Sequence, residues 1–289
     1  MNPLILQFAN GNIFFVGLGM VVGSLALCLR SNGRFVKSIV TIIWLLGILF
    51  VILSATPLPL WLYIAWLAFC ITGFAVLSAL TKHGAPLGLR RSLAAVGILP
   101  SLLLMSAELP YHLASSVAVS PAQPVFVIGD SISAGIDSTE RPWPEVLGDH
   151  SHLKVTNLAQ AGASVSAALK QAARIDKTDA VIFVEIGGND LLGGTDTHTF
   201  REQLDLLLEK TCVGGNQVIM FELPLIPFRN AFGAEQRDLA RRHRVTLLPK
   251  RYLTTVFGME GGTLDGLHLS QVGHDALAGE IQAVLNIQP

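Results

Sequence analysis

Four long runs without a charged side chain lie in the first 110 residues, at about 12–29, 38–54, 58–80 and 92–107. A chain that strings together this much uncharged apolar surface calls for lipid around it, and a helix needs roughly 17–25 apolar residues to cross the hydrocarbon. The third run meets that length alone, while the second and fourth depend on flanking residues. Four spans are expected. Charge follows the same division. Six of the 20 Lys/Arg and one of the 21 Asp/Glu fall before residue 121, so the rest of the chain carries a net −6 that the overall −1 conceals.

The basic residues set a topology. Arg30, Arg34 and Lys37 fall between the first two runs, and Lys82, Arg90 and Arg91 between the last two. The segment TPLPL and the N-terminus have none. Positive charge stays on the cytoplasmic side. Both chain ends, and everything after the fourth run, are therefore expected outside the cytoplasm of a bacterial inner or cytoplasmic membrane, in the periplasm if the cell has two membranes. The first run lacks a positive leader and three more follow, so it reads as retained rather than cleaved.

Within the runs, Gly19 and Gly23 share a helix face with Gly17 nearby, a spacing suited to close packing among the spans or to dimerisation. No ionisable residue sits at mid-span, which argues against a self-contained transporter. Trp44, Trp61, Tyr63 and Trp66 either anchor the interfaces or line a groove for a lipid-linked molecule. Cys28 and Cys70 fall in spans and Cys212 stands alone, so no structural disulfide is expected in the acidic part. The expected division is an all-α transmembrane domain over 1–110, a linker over 111–123 and an extracytoplasmic domain over 124–289.

From Pro124 onward, short apolar runs alternate with helical periodicity. PVFVIGD, LKVTNLAQ, DAVIFVEIG, QVIMFELPL and VTLLP read as strands. PWPEVLGDH, SVSAALKQAARI, TFREQLDLLLEKT, FGAEQRDLARRHR and SQVGHDALAGEIQAVL read as helices. Near-continuous apolar strands separated by helices imply an α/β domain with a parallel sheet covered on both faces, and sites in such domains gather at the carboxyl ends of strands. Ser131, Gly162 and Asn189 each follow a strand. There is no phosphate loop, no dinucleotide glycine spacing and no two-histidine zinc helix, so no cofactor or metal is expected. The acidic balance and the lack of a basic-aromatic platform exclude nucleic acid.

A serine nucleophile needs a base, a group that orients the base, and donors for the oxyanion. Ser131 in GDSISAG follows a strand, where it could be a nucleophile or simply a helix N-cap. Asp265 and His268 are three apart in TLDGLHLSQ, close enough for the carboxylate to fix the ring tautomer, although a surface pair has the same spacing. Asn189 in EIGGND could aim its amide at an oxyanion or serve as a turn residue, and Asp190 could cap the next segment. Gly162 could present a backbone N–H with no Cβ in the way. Glu185, an acid in an apolar strand, needs a partner if buried and reads with Asp130 as support for the nucleophile turn. His274 reads as a packing or helix-surface residue. Leu192, Ile226 and Phe228 follow strands near the site and could contact an acyl chain, or pack in the core.

Taken together and in order, GDSISAG, NLAQAG, GGND and DGLH resemble the four blocks of the SGNH/GDSL hydrolase family. WPEVL and ELP bring the likeness nearest to its bacterial thioesterase, protease and lysophospholipase type. The resemblance covers about 124–287 and implies a three-layer α/β/α fold. It implies Ser131 as nucleophile, His268 as base and Asp265 as its orienter, with an oxyanion hole from the Ser131 and Gly162 amides and the Asn189 side chain. DGLHLS departs from the family in lacking a Pro after the His, which implies a differently shaped loop, and the membrane part lies outside the resemblance. The expected function is a membrane-bound serine esterase cleaving acyl esters of lipids or envelope glycans through an acyl-enzyme. Its alternatives are an O-acyltransferase and an envelope-assembly subunit. The expected partners are that acyl-ester substrate and membrane lipid.

Overall fold

The computed structural model describes residues 3–29, 34–113, 116–137 and 139–287. Arg30, one of the basic residues used for topology, lies outside them, as do residues 114 and 115 of the expected linker. The first apolar run does not form one helix with the residues before it. Gly11, at φ +82°, makes a left-handed turn that separates α1 (Pro3–Ala9) from α2 (Asn12–Cys28). Then follow α3 (Arg34–Leu53), α4 (Leu60–Lys82) and α5 (Leu87–Glu108).

Among the described residues three helices, at 35–53, 60–82 and 87–112, are long and apolar enough to cross a membrane, where four were expected. The 17-residue α2 is the shortfall. At 1.5 Å per residue it spans about 25 Å against a hydrocarbon core of about 30 Å. Its packing nonetheless ties it to the others. A Cβ on Gly17 would stand 2.6 Å from the Gly47 carbonyl of α3, and one on Gly47 would stand 2.7 Å from the Gly17 carbonyl. The two backbones therefore touch at that glycine pair. Gly19 and Gly23, the expected packing face, meet nothing within 4 Å. Among the aromatics, Trp44 stacks on Phe74 with centroids 4.5 Å apart, and Trp66 donates to Ser101 Oγ at 3.0 Å. Trp61 is exposed.

The stretch expected as a linker carries a 3₁₀ turn (Leu109–His112) and a strand, β1 (Val117–Val119). Next come β2 (Val125–Gly129), α6 (Ser131–Ala134), α7 (Trp143–Ser151), β3 (Val155–Asn157), α8 (Val165–Ala172), β4 (Val181–Glu185) and α9 (Gly188–Gly193). The chain continues through α10 (Thr197–Thr211), β5 (Gln217–Phe221), α11 (Asn230–His243), β6 (Thr246–Leu248), α12 (Arg251–Gly258), α13 (Gln271–Val284) and β7 (Leu285–Ile287). β1 pairs in parallel with β7, so the chain enters and leaves this domain side by side.

Five parallel strands in the order β3-β2-β4-β5-β6 form the main sheet. Strand alternation sorts its side chains into two cores. Val125, Val127, Phe183 and Phe221 join Trp143, Leu147, Leu277 and Ile281 on one face. Phe126, Ile128, Ile182 and Val184 join Ala168, Phe200, Leu204 and Leu239 on the other. With β2 paired between β3 and β4, the turn after Gly129 emerges at the sheet's carboxyl edge between two other strand ends.

This domain is seated on the membrane helices by polar contacts. Arg237 makes a two-point ion pair with Glu108 at 2.7 and 2.8 Å and donates from Nε to Glu222 Oε1 at 2.7 Å. Its guanidinium lies 3.6 Å from the Tyr111 ring centroid. Lys250 Nζ donates to the Ala55 carbonyl and stands 3.8 Å from Glu222. Asn230 Nδ2 bridges the carbonyls of Ser54 and Thr56. All these contacts fall at 54–56 and 108–111, the helix ends opposite the basic loops.

Candidate active site

Gly129 ends β2 in register with Glu185 of β4. Gln171 of α8 clasps it, accepting from its amide and donating to its carbonyl, both at 2.9 Å. The next residue turns the chain. Asp130 Oδ1 accepts from the Ile132 amide at 3.0 Å, and the Asp130 carbonyl accepts from the amides of Ser133 and Ala134. Asp130 is thus the cap of α6, and the Ser131 hydroxyl is left without capping work. Its own amide is outside that set of bonds and remains a donor at the turn.

Beneath the turn lies a buried carboxyl pair. Burial pushes Asp130 up to about 6 against the pull of the Ile132 amide, and burial followed by the neighbouring Asp130 charge raises Glu185 well above the carboxylate range. Neither carboxyl has a Lys or Arg partner among the described residues. Glu185 Oε2 accepts from Ser133 Oγ at 2.9 Å, and Ser133 Oγ accepts from Trp143 Nε1 at 3.0 Å. Asn157 Nδ2 donates to the Ser133 carbonyl at 2.7 Å. Three elements, β4, α7 and β3, thereby hold α6 from behind. His274 belongs to this support: fully buried, its Nδ1 accepts from the Trp143 amide at 3.2 Å.

The histidine arrives on the loop between α12 and α13. Asp265 Oδ1 accepts from the amides of Leu267 and His268 at 2.9 and 2.8 Å, with Gly266 at φ +92° making the turn. Those amides, with the His268 ring, hold the Asp265 carboxyl well below the usual carboxylate range. Asp265 is therefore a carboxylate, and His268 Nδ1–H donates to its Oδ2 at 2.7 Å. That bond sets the tautomer and leaves Nε2 as an acceptor. Directly after His268, Leu269 bridges Thr263 and Ser270 caps α13 through the Gly273 amide.

Gly162 stands on the loop before α8 and Asn189 in the first turn of α9. Gly162 has φ +75° and open space where a Cβ would be, so its backbone conformation, rather than crowding, calls for glycine. Asn189 Nδ2 donates to Asp130 Oδ2 at 3.2 Å and to the Ala163 carbonyl at 3.0 Å. Asp190 reaches across to accept from the Val165 amide at 2.9 Å, capping α8 from the first turn of α9.

Ser131, Asn189 and His268 open on one cavity of about 380 Å³, with Asp130 and Glu185 at its polar end. Its other walls are apolar: Leu191, Leu192, Leu223 and Ile226, Leu253 and Phe257 of α12, and Ile5, Leu6 and Ala9 of α1. No hydrogen bond joins Ser131 to His268; the two groups meet across the cavity. Of the three candidate acyl contacts, Leu192 and Ile226 line this cavity and Phe228 does not. At Phe228 the backbone is left-handed, φ +67°, and the residue lines a second apolar cavity of about 650 Å³ against Leu60, Tyr63 and Leu67 of α4.

Sequence reasoning missed Ser133, Gln171 and Trp143 as supports and the α1 and α12 walls altogether. Ser133 had a signal: a Cβ on Gly129 would stand 2.7 Å from it, the close approach that a glycine before GDS permits. The α1 wall had none.

Two kinds of comparison bear on this geometry. The model of the GDSL-like Lipase/Acylhydrolase family matches residues 127–276. Esterase TesA of Pseudomonas aeruginosa is 28% identical over 183 residues, which is 58% of this chain and 87% of that protein. A crystal structure of TesA superposes with a TM-score of 0.50 at 25% identity, covering 56% of this chain and 97% of that one. All three matches fall short of the whole chain by roughly the length of its membrane region.

Proposed function

The chain belongs to the GDSL-like lipase/acylhydrolase family and is a serine-type carboxylic ester hydrolase; from that premise we propose that Ser131 is its nucleophile, His268 the base and Asp265 the residue that orients the base. The observation that carries this reading is the convergence of Ser131, Asn189 and His268 on one apolar cavity, with Asp265 holding the far side of the ring. His268 Nε2 takes the Ser131 proton as Oγ attacks the ester carbonyl. Asp265 then stabilises the imidazolium, which returns the proton to the leaving alcohol. A water activated by the same ring hydrolyses the acyl-enzyme.

The oxyanion is received by the amides of Ser131 and Gly162 and by Asn189. Asn189 now donates to Asp130, so it serves the oxyanion by exchanging one carboxyl acceptor for another charged oxygen, a small reorganisation for a preorganised donor. Asp130 and Glu185 hold the turn and do not act as bases.

We read residues 1–110 as a membrane domain whose helices at 35–53, 60–82 and 87–112 cross the bilayer, 111–123 as a connection tied down by β1, and 124–289 as a three-layer catalytic domain outside the cytoplasm. Supporting this orientation, Lys37, Lys82, Arg90 and Arg91 lie at the helix ends remote from the catalytic domain. The substrate is an acyl ester of a membrane lipid in preference to an acetylated glycan, since the cavity walls are apolar beyond the catalytic end. Turnover of p-nitrophenyl butyrate by the full-length protein in detergent tests the site. Ser131→Ala is expected to abolish it, and equal turnover by both proteins would rule out the nucleophile.

A further inference from the structure

The acyl cavity is walled in part by residues outside the segment that the family model matches. Ile5, Leu6 and Ala9 of α1 face it opposite Ser131 and His268, 118 residues or more before the family-matched segment begins at 127. α1 is held there by specific contacts. The Leu225 amide, on the cavity wall, donates to the Ala9 carbonyl at 3.2 Å, and the Ala55 amide donates to the Phe8 carbonyl at 3.1 Å. Leu6 is 5% exposed within the same core as Val256 and Phe257, and it sits so close to α12 that a Cβ on Gly258 would come within 2.7 Å of it. Two residues after α1 the chain turns at Gly11 into α2, which packs backbone to backbone on a membrane-spanning helix.

We propose that α1 is the acyl-chain selector of this enzyme: a wall, supplied by the membrane region, against which the straight chain of a lipid ester lies. The inference rests on the reading of Ser131 and His268 as the ester-cleaving centre. The polar end of the cavity, at Asp130, Ser131 and Asn189, takes the carbonyl, and the chain runs out between α12 and α1. That exit faces the segment leading into the bilayer, so a single-chain amphiphile reaches the serine without leaving the membrane surface entirely. Selectivity for long chains is then a property of the whole protein, absent from a catalytic domain alone.

The test is a chain-length series of p-nitrophenyl esters, acetate to palmitate, with the full-length protein in one detergent. Each methylene that loses an apolar wall weakens binding roughly fourfold. Ile5→Glu, at an exposed rim position, is expected to lower the decanoate-to-acetate ratio of kcat/KM by on the order of tenfold or more, chiefly through KM, with Ile5→Leu restoring it. Ala9→Trp is expected to move the optimum to shorter chains by filling the wall. A ratio within twofold of the parent in both variants, or a parallel loss on acetate and decanoate, would overturn the selector role. Failure of the catalytic reading shows differently: Ser131→Ala would then match the parent at every chain length.

Discussion

Two buried acid clusters in this protein lie on different elements and are built on opposite principles. At the seam between membrane helices and catalytic domain, Glu108 and Glu222 face Arg237 and Lys250, two anions against two cations, with every guanidinium nitrogen of Arg237 engaged. Under the Ser131 turn, Asp130 and Glu185 face each other with no Lys or Arg partner among the described residues, and burial raises both carboxyls. The first arrangement fixes one region on another. The second keeps an unbalanced pair beneath a reactive turn, held by neutral donors from Ser133, Asn189 and the Ile132 amide.

The sharpest way to break this contrast is to remove the cation from the seam. Arg237→Met leaves two buried carboxylates with Lys250 beside Glu222 and His112 beside Glu108, and is expected to cost about 3–5 kcal/mol of stability. Denaturant unfolding of the full-length protein in detergent reads it, and a loss under about 1 kcal/mol would mean the seam is not balanced by this residue.

At the other cluster, Asn189→Ala removes the amide that contacts Asp130 and is placed to receive the oxyanion. A fall of about 10²–10³ in kcat is expected, about 2.7–4 kcal/mol, with the melting temperature little changed. A comparable drop in stability would make Asn189 a structural turn residue instead.

Neutralising the unbalanced pair works with the opposite sign to Arg237→Met. Because Asp130 and Glu185 bind protons more tightly folded than unfolded, their contribution is most favourable below about pH 4 and is lost as pH rises, through about 6 at Asp130. Glu185→Gln keeps an acceptor oxygen for Ser133 and is expected to stabilise the protein at pH 8 with little effect at pH 4. Melting curves at the two pH values check this, and destabilisation at pH 8 would show that Glu185 is held as a carboxylate. The smallest effect is expected from Trp143→Phe. It removes one donor from Ser133 and should cost about 0.5–1.5 kcal/mol of stability, with a modest fall in kcat.

Most of the catalytic domain was legible because its strands are apolar runs of strand length and its helices keep a clean period. The GDSISAG, GGND and DGLH blocks stood out as candidate chemistry because each follows a strand or sits in a turn. Deciding between nucleophile and cap at Ser131 was beyond the sequence, since Asp130 and Ser131 are both good caps and only coordinates show that Asp130 holds the amide. α1 was hidden for a different reason. Its residues are as apolar as the run that follows, and a single left-handed glycine divides a pocket wall from a membrane helix. Phe228 was misplaced because strand-end proximity says nothing about a backbone that reverses direction locally, and β1 because a three-residue strand pairing with the far end of the chain has no local period.

The central claim is that Ser131 is the acylated residue. Treating the full-length protein with a fluorophosphonate and mapping the adduct by peptide mass spectrometry tests it directly. The account predicts one modified peptide, containing Ser131, with labelling lost in Ser131→Ala and strongly slowed in His268→Ala. An adduct on another serine, with ester turnover abolished as it forms, would contradict it.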